Sequence, residues 1–293
     1  MICGDWMITI NDEKCTGCGA CIRICHEHCM ILQNNKVTID YQFCSACSQC
    51  VSVCPESALA WNDTPSVPFD SSQLPTSRQL EELFKQRRTN RFFLDKKISR
   101  GLLEEIAQYG AYAPSHRHDF RMIILDDANL LQTMDETQYR FNRRIYRFMF
   151  KSRFINQVMK CMPSAFQEEF YRARPKLEAS LRIGRAYASL PPAVLLIVGK
   201  KRMPLMLESG QYILYNIDLF ARTKGLGCRN LVGNQMFFNR SRQFRKTVGI
   251  QKCEQIYGTL GIGYPRYPFR NKVEGRSMKI QWNNASAYET IQQ

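Results

Sequence analysis

The sequence predicts an α+β protein in two parts, a small cysteine-rich βαβ repeat followed by a larger mixed domain. Three observations predict it. Cys15-Thr-Gly-Cys18-Gly-Ala-Cys21-Ile-Arg-Ile-Cys25 recurs as Cys44-Ser-Ala-Cys47-Ser-Gln-Cys50-Val-Ser-Val-Cys54, a period of about thirty residues, the scale of one supersecondary unit. A stretch rich in Pro, Ser and Asp, with little periodicity, follows Asn62. Beyond it, helical and strand-like patterns alternate over about two hundred residues, enough for one core. The expected boundaries are 1–62 for the repeat, 63–77 for a linker and 78–293 for the larger domain.

The elements follow in order. Short strands are expected at Met7–Ile10, Lys36–Asp40 and Ala58–Trp61, flanking the two cysteine runs. Thr76-Ser-Arg-Gln79 has the form of a capping box opening a helix through Leu80, Leu83 and Phe84. Ser99 is placed to cap a helix over Leu102–Tyr112. Arg121–Leu125 and Ala193–Val198 read as buried strands. Gln138–Met162 reads as a long aromatic and basic helical stretch. Glu208–Lys224 reads as a helix closed by Gly225, and Glu254–Gly261 as a further strand.

Of the 293 residues, 44% are hydrophobic and 23% charged, as in soluble globular proteins. The most apolar run is too short to span a bilayer, and no basic start followed by an apolar core marks a leader. A cytoplasmic protein without a membrane span is therefore expected. Thirteen cysteines, mostly in the first fifth of the chain, are an odd number unsuited to a disulfide framework and read as reduced ligands. Through Asn62 three basic residues face six acidic ones, so the net charge of +15 is carried by the remainder. A domain so basic could meet nucleic acid, a membrane surface, an acidic protein or an anionic small molecule. Charge alone does not choose.

The C-x-x-C-x-x-C-x-x-x-C spacing sets three cysteines on a tight loop facing three corners of an iron–sulfur cube. In two-cluster ferredoxins the fourth cysteine ligates the other cluster. Cys15, Cys18, Cys21 and Cys54 are thus expected to hold one 4Fe-4S cluster, and Cys44, Cys47, Cys50 and Cys25 the second. Paired zinc sites favour separated C-x-x-C pairs and fit poorly. The first sixty residues resemble bacterial two-cluster ferredoxins. The second run ends in the family's Cys54-Pro55, whereas the first ends in Cys25-His26. His26, His28 and Cys29 read as polar or packing residues beside a cluster. Cys3, Cys161, Cys228 and Cys253 are isolated and read as small buried hydrophobes.

Downstream, Arg87-Arg88-Thr89-Asn90-Arg91 closes a helix. Arg87 and Arg91 share a face if helix persists, and their forks with a nearby hydroxyl suit a phosphate. In order come Ala113-Pro114-Ser115, Lys224-Gly-Leu-Gly227 and Gly261-Ile-Gly263-Tyr-Pro265. From about Arg78 onward this ordered set resembles the FMN-dependent nitroreductase family. The resemblance implies an FMN-binding α+β fold and a homodimer with flavin at its interface. It puts Arg87, Arg88, Thr89 and Arg91 on the flavin phosphate and ribitol. Pro114, Ser115 and His116 fall beside the isoalloxazine ring, and Val232 and Gly233 near a backbone segment that meets the flavin. Arg276, then Arg270, are the candidates for a basic phosphate contact. The family's loop usually continues to an Asn. Here it reads His116-Arg-His118, and His118 is the candidate stand-in. Gly225-Leu-Gly227 follows a helix and lacks a third glycine, so it is no dinucleotide fingerprint.

The expected function is an FMN-dependent oxidoreductase fed through two 4Fe-4S clusters by a low-potential donor, whether ferredoxin, flavodoxin or reductase. It would reduce a small acceptor such as a nitroaromatic, a quinone or an activated alkene. His116 is the candidate catalytic residue, with Tyr112 and Arg117 as other proton donors. No nucleic-acid partner is expected. The alternative is an electron-transfer or redox-sensing subunit with no substrate of its own. The basic stretch 140–153 reads as a helix with an aromatic core face and a basic solvent face, as a lid over the site, or as a nucleic-acid or membrane contact.

Overall fold

The computed structural model of the protein describes residues 7–115 and 119–282. The amino-terminal module is built from β1 (Ile8–Ile10), α1 (Ala20–Ile24), β2 (Met30–Gln33), β3 (Lys36–Ile39), α2 (Gln49–Val53) and β4 (Leu59–Trp61). It is one β–α–β unit used twice. Strand β1 pairs antiparallel with β4, and β2 with β3. The β2–β3 turn is Asn34-Asn35, both with positive φ, as a tight hairpin of matching twist requires. The short β5 (Thr64–Pro65) adds to β4, so pairing runs past Asn62 into the segment expected as linker. Ile8, Met30, Val37, Ala58 and Leu59 are buried among the cysteines. The protein core of this module is accordingly small.

The larger domain begins at α3 (Ser77–Gln86). Its capping box is present: the Gln79 amide donates to Thr76 Oγ1 at 3.3 Å and the Thr76 amide donates to Gln79 Oε1 at 2.8 Å. Ser99 caps α4 (Arg100–Gln108), accepting from the Leu102 amide at 3.3 Å, and a 3₁₀ turn carries the chain on through Tyr112. Then come β6 (Phe120–Leu125), α5 (Ala128–Phe150), α6 (Arg153–Lys160), α7 (Ser164–Arg172) and α8 (Arg174–Ile183). They are followed by β7 (Ala193–Lys200), α9 (Met206–Thr223), β8 (Gly227–Asn230), α10 (Val232–Arg240), α11 (Arg242–Thr247) and β9 (Glu254–Gly263).

The sheet is antiparallel in the order β6-β7-β9-β8. Successive side chains of a strand face opposite ways, and both faces of β7 are covered. Ala193, Leu195 and Ile197 pack with Leu103 and Ile106 of α4 and with Ile213, Leu214 and Ile217 of α9. Val194, Leu196 and Val198 pack with Leu131 and Met134 of α5, Phe238 of α10 and Phe244 of α11. This double cover is why the run is apolar without alternation. Full burial of each large aliphatic chain is worth about 1.5–3 kcal/mol.

Two expected elements change. The stretch 138–162 is not one helix. Ser152 leaves helical geometry and its hydroxyl accepts from the Ile155 amide at 3.3 Å, capping α6, so α5 ends at Phe150. The strand expected at Arg121–Leu125 is an edge strand and only Leu125 in it is buried.

Candidate functional site

In the module, the cysteine loops of the two halves share one backbone path. Gly17 and Gly19 have φ of 71° and 70°; Ala46 and Ser48, their equivalents, have 57° and 59°. Left-handed residues alternating through a loop turn its amide groups inward into an anion-binding concavity. At Gly17 no side chain is possible, because a Cβ would lie 2.6 Å from the Asn35 carbonyl oxygen. Lys36 ties the loop down, donating from Nζ to the carbonyls of Asp12 and Cys15 at 2.6 and 2.7 Å.

The fold brings the eight expected ligands into two groups. One cavity is walled by Cys15, Cys18, Cys21 and Cys54. A second is walled by Cys25, Cys44, Cys47 and Cys50, with Cys29 as a fifth. Each thus takes three cysteines from one run and the last cysteine of the other, as the expected exchange requires. Cys25 and Cys54 occupy equivalent places, both extended residues capping α1 and α2. In the first cavity the Ala58 amide donates to Cys54 Sγ at 3.3 Å. Burial, first of all, pushes the Cys50 thiol up to about 11, so a positively charged partner is needed to hold it as thiolate. Iron would supply that charge.

The second site centres on residues 87–91. Helix α3 stops at Gln86 and Arg87 is extended, its amide donating to the Leu83 and Phe84 carbonyls. Arg87 and Arg91 therefore share no helix face. The segment is held instead by remote parts of the chain. The Asn90 amide donates to the Cys228 carbonyl at 3.0 Å. Arg222 of α9 donates from Nη2 to the Arg88 carbonyl at 2.6 Å and from Nε to Asp218 at 2.9 Å. Asp218 also stands 3.8 Å from Arg87. Asn90 is buried against Gly227, where an added Cβ would fall 2.4 Å from Asn90 Cγ. Phe93 bridges to Pro265, joining the segment to the Gly261–Pro265 motif.

The arginines differ in what they do. Arg88 donates to the Lys85 and Arg87 carbonyls at 3.0 and 2.7 Å, so its Nη1 is spent on its own backbone. Arg91 is exposed. Ser115 has its hydroxyl oxygen buried with no protein partner among the described residues, and Pro114 is exposed beside it. Tyr112 is 80% exposed. His116, Arg117 and His118 lie outside the described residues. Val232 and Gly233 open α10 directly after β8. Arg270 lines a cleft of about 660 Å³ between α3 and residues 269–272, shared with Gln79, Gln86 and Thr223. Arg276 lies on the exposed extended segment beyond it.

Some residues escaped the sequence reading. Asp218 and Arg222 were absorbed into the periodicity of α9, although a carboxylate and a guanidinium four apart on an otherwise apolar helix face are a signal. Arg229 sits on β8 with its guanidinium 5.1 Å from the Tyr187 ring. Burial lowers its pKa and the charge of Arg91 lowers it further, so two cations crowd this corner. The Tyr187 hydroxyl there is buried without a partner among the described residues. Cys228 is buried as expected, but Cys161 and Cys253 are exposed; Cys161 caps the end of α6 and Cys253 immediately precedes β9, where the core does not cover them. Cys3 lies outside the described residues. On α5, Arg143, Arg144 and Arg147 face solvent while Phe141 stacks near Phe237 at 4.2 Å.

Among the described residues, no helix is long and apolar enough to cross a membrane. A 4Fe-4S dicluster domain matches residues 7–55 and the nitroreductase family matches residues 84–264. No curated protein matches. Among solved structures, a nitroreductase with bound FMN from Desulfitobacterium hafniense is 17% identical over 69% of this chain and 97% of its own, with a TM-score of 0.46. An FMN-dependent nitroreductase from Clostridium difficile is 17% identical over 69% and 98%, with a TM-score of 0.45. A nitroreductase with bound FMN from Bacteroides fragilis is 17% identical over 73% and 99%, also with a TM-score of 0.45. Since the nitroreductase match spans more than half of the sequence, the chain belongs to the nitroreductase family, and a 4Fe-4S dicluster domain precedes its nitroreductase domain.

Proposed function

We propose that this protein is an FMN-dependent oxidoreductase that takes electrons through two 4Fe-4S clusters in its own amino-terminal module and reduces a small organic acceptor. The observation that carries the reading is the pair of cysteine-walled cavities, each completed by the last cysteine of the other half, on the same chain as a nitroreductase domain. Clusters pass electrons singly, and FMN, when bound, accepts them singly and delivers them as a hydride equivalent. The donor is a low-potential protein such as a ferredoxin, a flavodoxin or a reductase.

The chain's own residues are suited to the flavin. Arg87 is aimed by Asp218 and Arg91 is exposed to solvent, so the two guanidiniums are available to the phosphate and ribitol. Arg88 and Thr89 continue the same strap, and Arg270, with Arg276 beyond it, supplies further positive charge on the side of α3. The orphaned Ser115 hydroxyl fits a polar edge of the flavin ring, because a buried hydroxyl left without a partner costs free energy. The amides of Val232 and Gly233 at the start of α10 can donate toward the same place. The proton for the acceptor comes from a residue between 112 and 118, with His116 as first candidate. Exposed Tyr112, Tyr212, Phe269, Met278 and Trp282 leave apolar surface open, which suits burial against a second copy and a homodimer.

The test is metal and flavin content after anaerobic purification. About eight iron per chain, from two four-iron clusters, with FMN near one per chain is expected, and a chemically reduced preparation should then reduce a nitroaromatic, quinone or activated alkene. Iron without flavin, even after FMN is added back, overturns the enzyme reading.

A further inference from the structure

Five cysteines wall the second cluster cavity, but a 4Fe-4S cube has four iron corners. The internal repeat identifies the surplus. Cys25 and Cys54 cap α1 and α2 in the same geometry, so Cys25 is the ligand. Cys29, four residues on, stands where the other half has Ala58, which has no sulfur to offer. Cys29 is 4% exposed and its Sγ lies 3.4 Å from Cys25 Sγ, within reach of a sulfur hydrogen bond.

We propose that Cys29 is a tuning residue: its thiol donates an S–H···S hydrogen bond to the Cys25 ligand sulfur and makes the cluster held by Cys25, Cys44, Cys47 and Cys50 easier to reduce than it would be without that thiol. A ligand thiolate has no proton to give, so the direction of the bond is fixed. A donor aimed at a cluster sulfur stabilises the reduced, more negative cluster, as hydrogen bonds to these sulfurs do in general. The Ala58 position in the first cavity supplies only a backbone amide. The two sites therefore differ in the donor they offer, a thiol at Cys29 in one and a backbone amide at Ala58 in the other. This rests on the two-cluster reading above.

The experiment is an EPR-monitored redox titration of the full-length holoprotein, with iron and sulfide analysis, for wild type, Cys29→Ala, Cys29→Ser and Ala58→Cys. In Cys29→Ala the iron content should stay unchanged while one midpoint falls. The expected loss is about tenfold in the reduced-to-oxidised ratio at fixed potential, roughly 59 mV for one electron. Cys29→Ser should recover part of the shift through its hydroxyl, and Ala58→Cys should raise the other midpoint. Loss of about four iron in Cys29→Ala would make Cys29 a ligand and overturn the proposal. Two unchanged midpoints with full iron would overturn it as mere packing. A wild-type chain that holds no cluster would instead sink the reading beneath it.

Discussion

The cysteine module and the nitroreductase domain hold their sites by opposite means. In the module all eight proposed ligands lie within forty residues, on two copies of one loop and helix, and the backbone angles of one copy repeat in the other. In the larger domain the 87–91 strap is fixed by Cys228, Arg222, Asp218 and Pro265, more than a hundred residues away. A local site carries its geometry in its own spacing. A remote one inherits it from the core that joins the pieces.

That contrast can be broken by separating the two cores. Leu195 is fully buried in β7, and Leu195→Ala should cost about 2–5 kcal/mol. Calorimetry of the holoprotein should show the loss in the larger domain's transition, while the iron–sulfur absorption at room temperature stays as in wild type. Loss of iron in that variant would show that the module leans on the larger core.

A smaller effect tests whether the strap is held from afar. Gly227→Ala sets a methyl group against buried Asn90. Overpacking of this kind costs about 1–3 kcal/mol, and it should weaken retention of FMN through desalting without lowering iron. Unchanged flavin retention would mean that Asn90 does not set the strap. The smallest effect concerns the tie between β6 and β9. Arg121 grips Glu254 with two hydrogen bonds of 2.7 and 2.8 Å, and that hydrogen bonding lowers the Glu254 pKa. Its stability contribution is complete above the ordinary carboxylate range and is lost as pH falls through the lowered value. Glu254→Gln, with Arg121 partly exposed, should cost about 1 kcal/mol, and the difference from wild type in urea midpoints should vanish under acid conditions.

The same contrast explains what could be read from the sequence. The cysteine spacing is enough to expect the two groups of four that line the two cavities, because the loops that present them are contiguous. The Thr76–Gln79 and Ser99 caps are legible for the same reason. The length of α5 was not, since a single serine hydroxyl at Ser152 outweighs the apolar periodicity running past it. The Arg87–Arg91 pairing on one helix face failed because the chain turns to meet β8, a decision taken by Asn90 and Cys228 together. Asp218 and Arg222 carry no motif, and only folding places them under the strap. Cys29 falls outside the repeated spacing, and only the fold sets it as a fifth cysteine on the second cavity.

Strand β9 has one more consequence. It lies between β7 and β8 in the sheet although it is the last of the four strands in chain order. During synthesis β7 and its apolar neighbours leave the ribosome some sixty residues before the strand that covers their open edge, a matter of several seconds at about 5–20 residues per second. The cysteine module is complete long before then. Cluster insertion can thus precede closure of the larger domain, and until β9 arrives β7 offers an unpaired edge to any other strand.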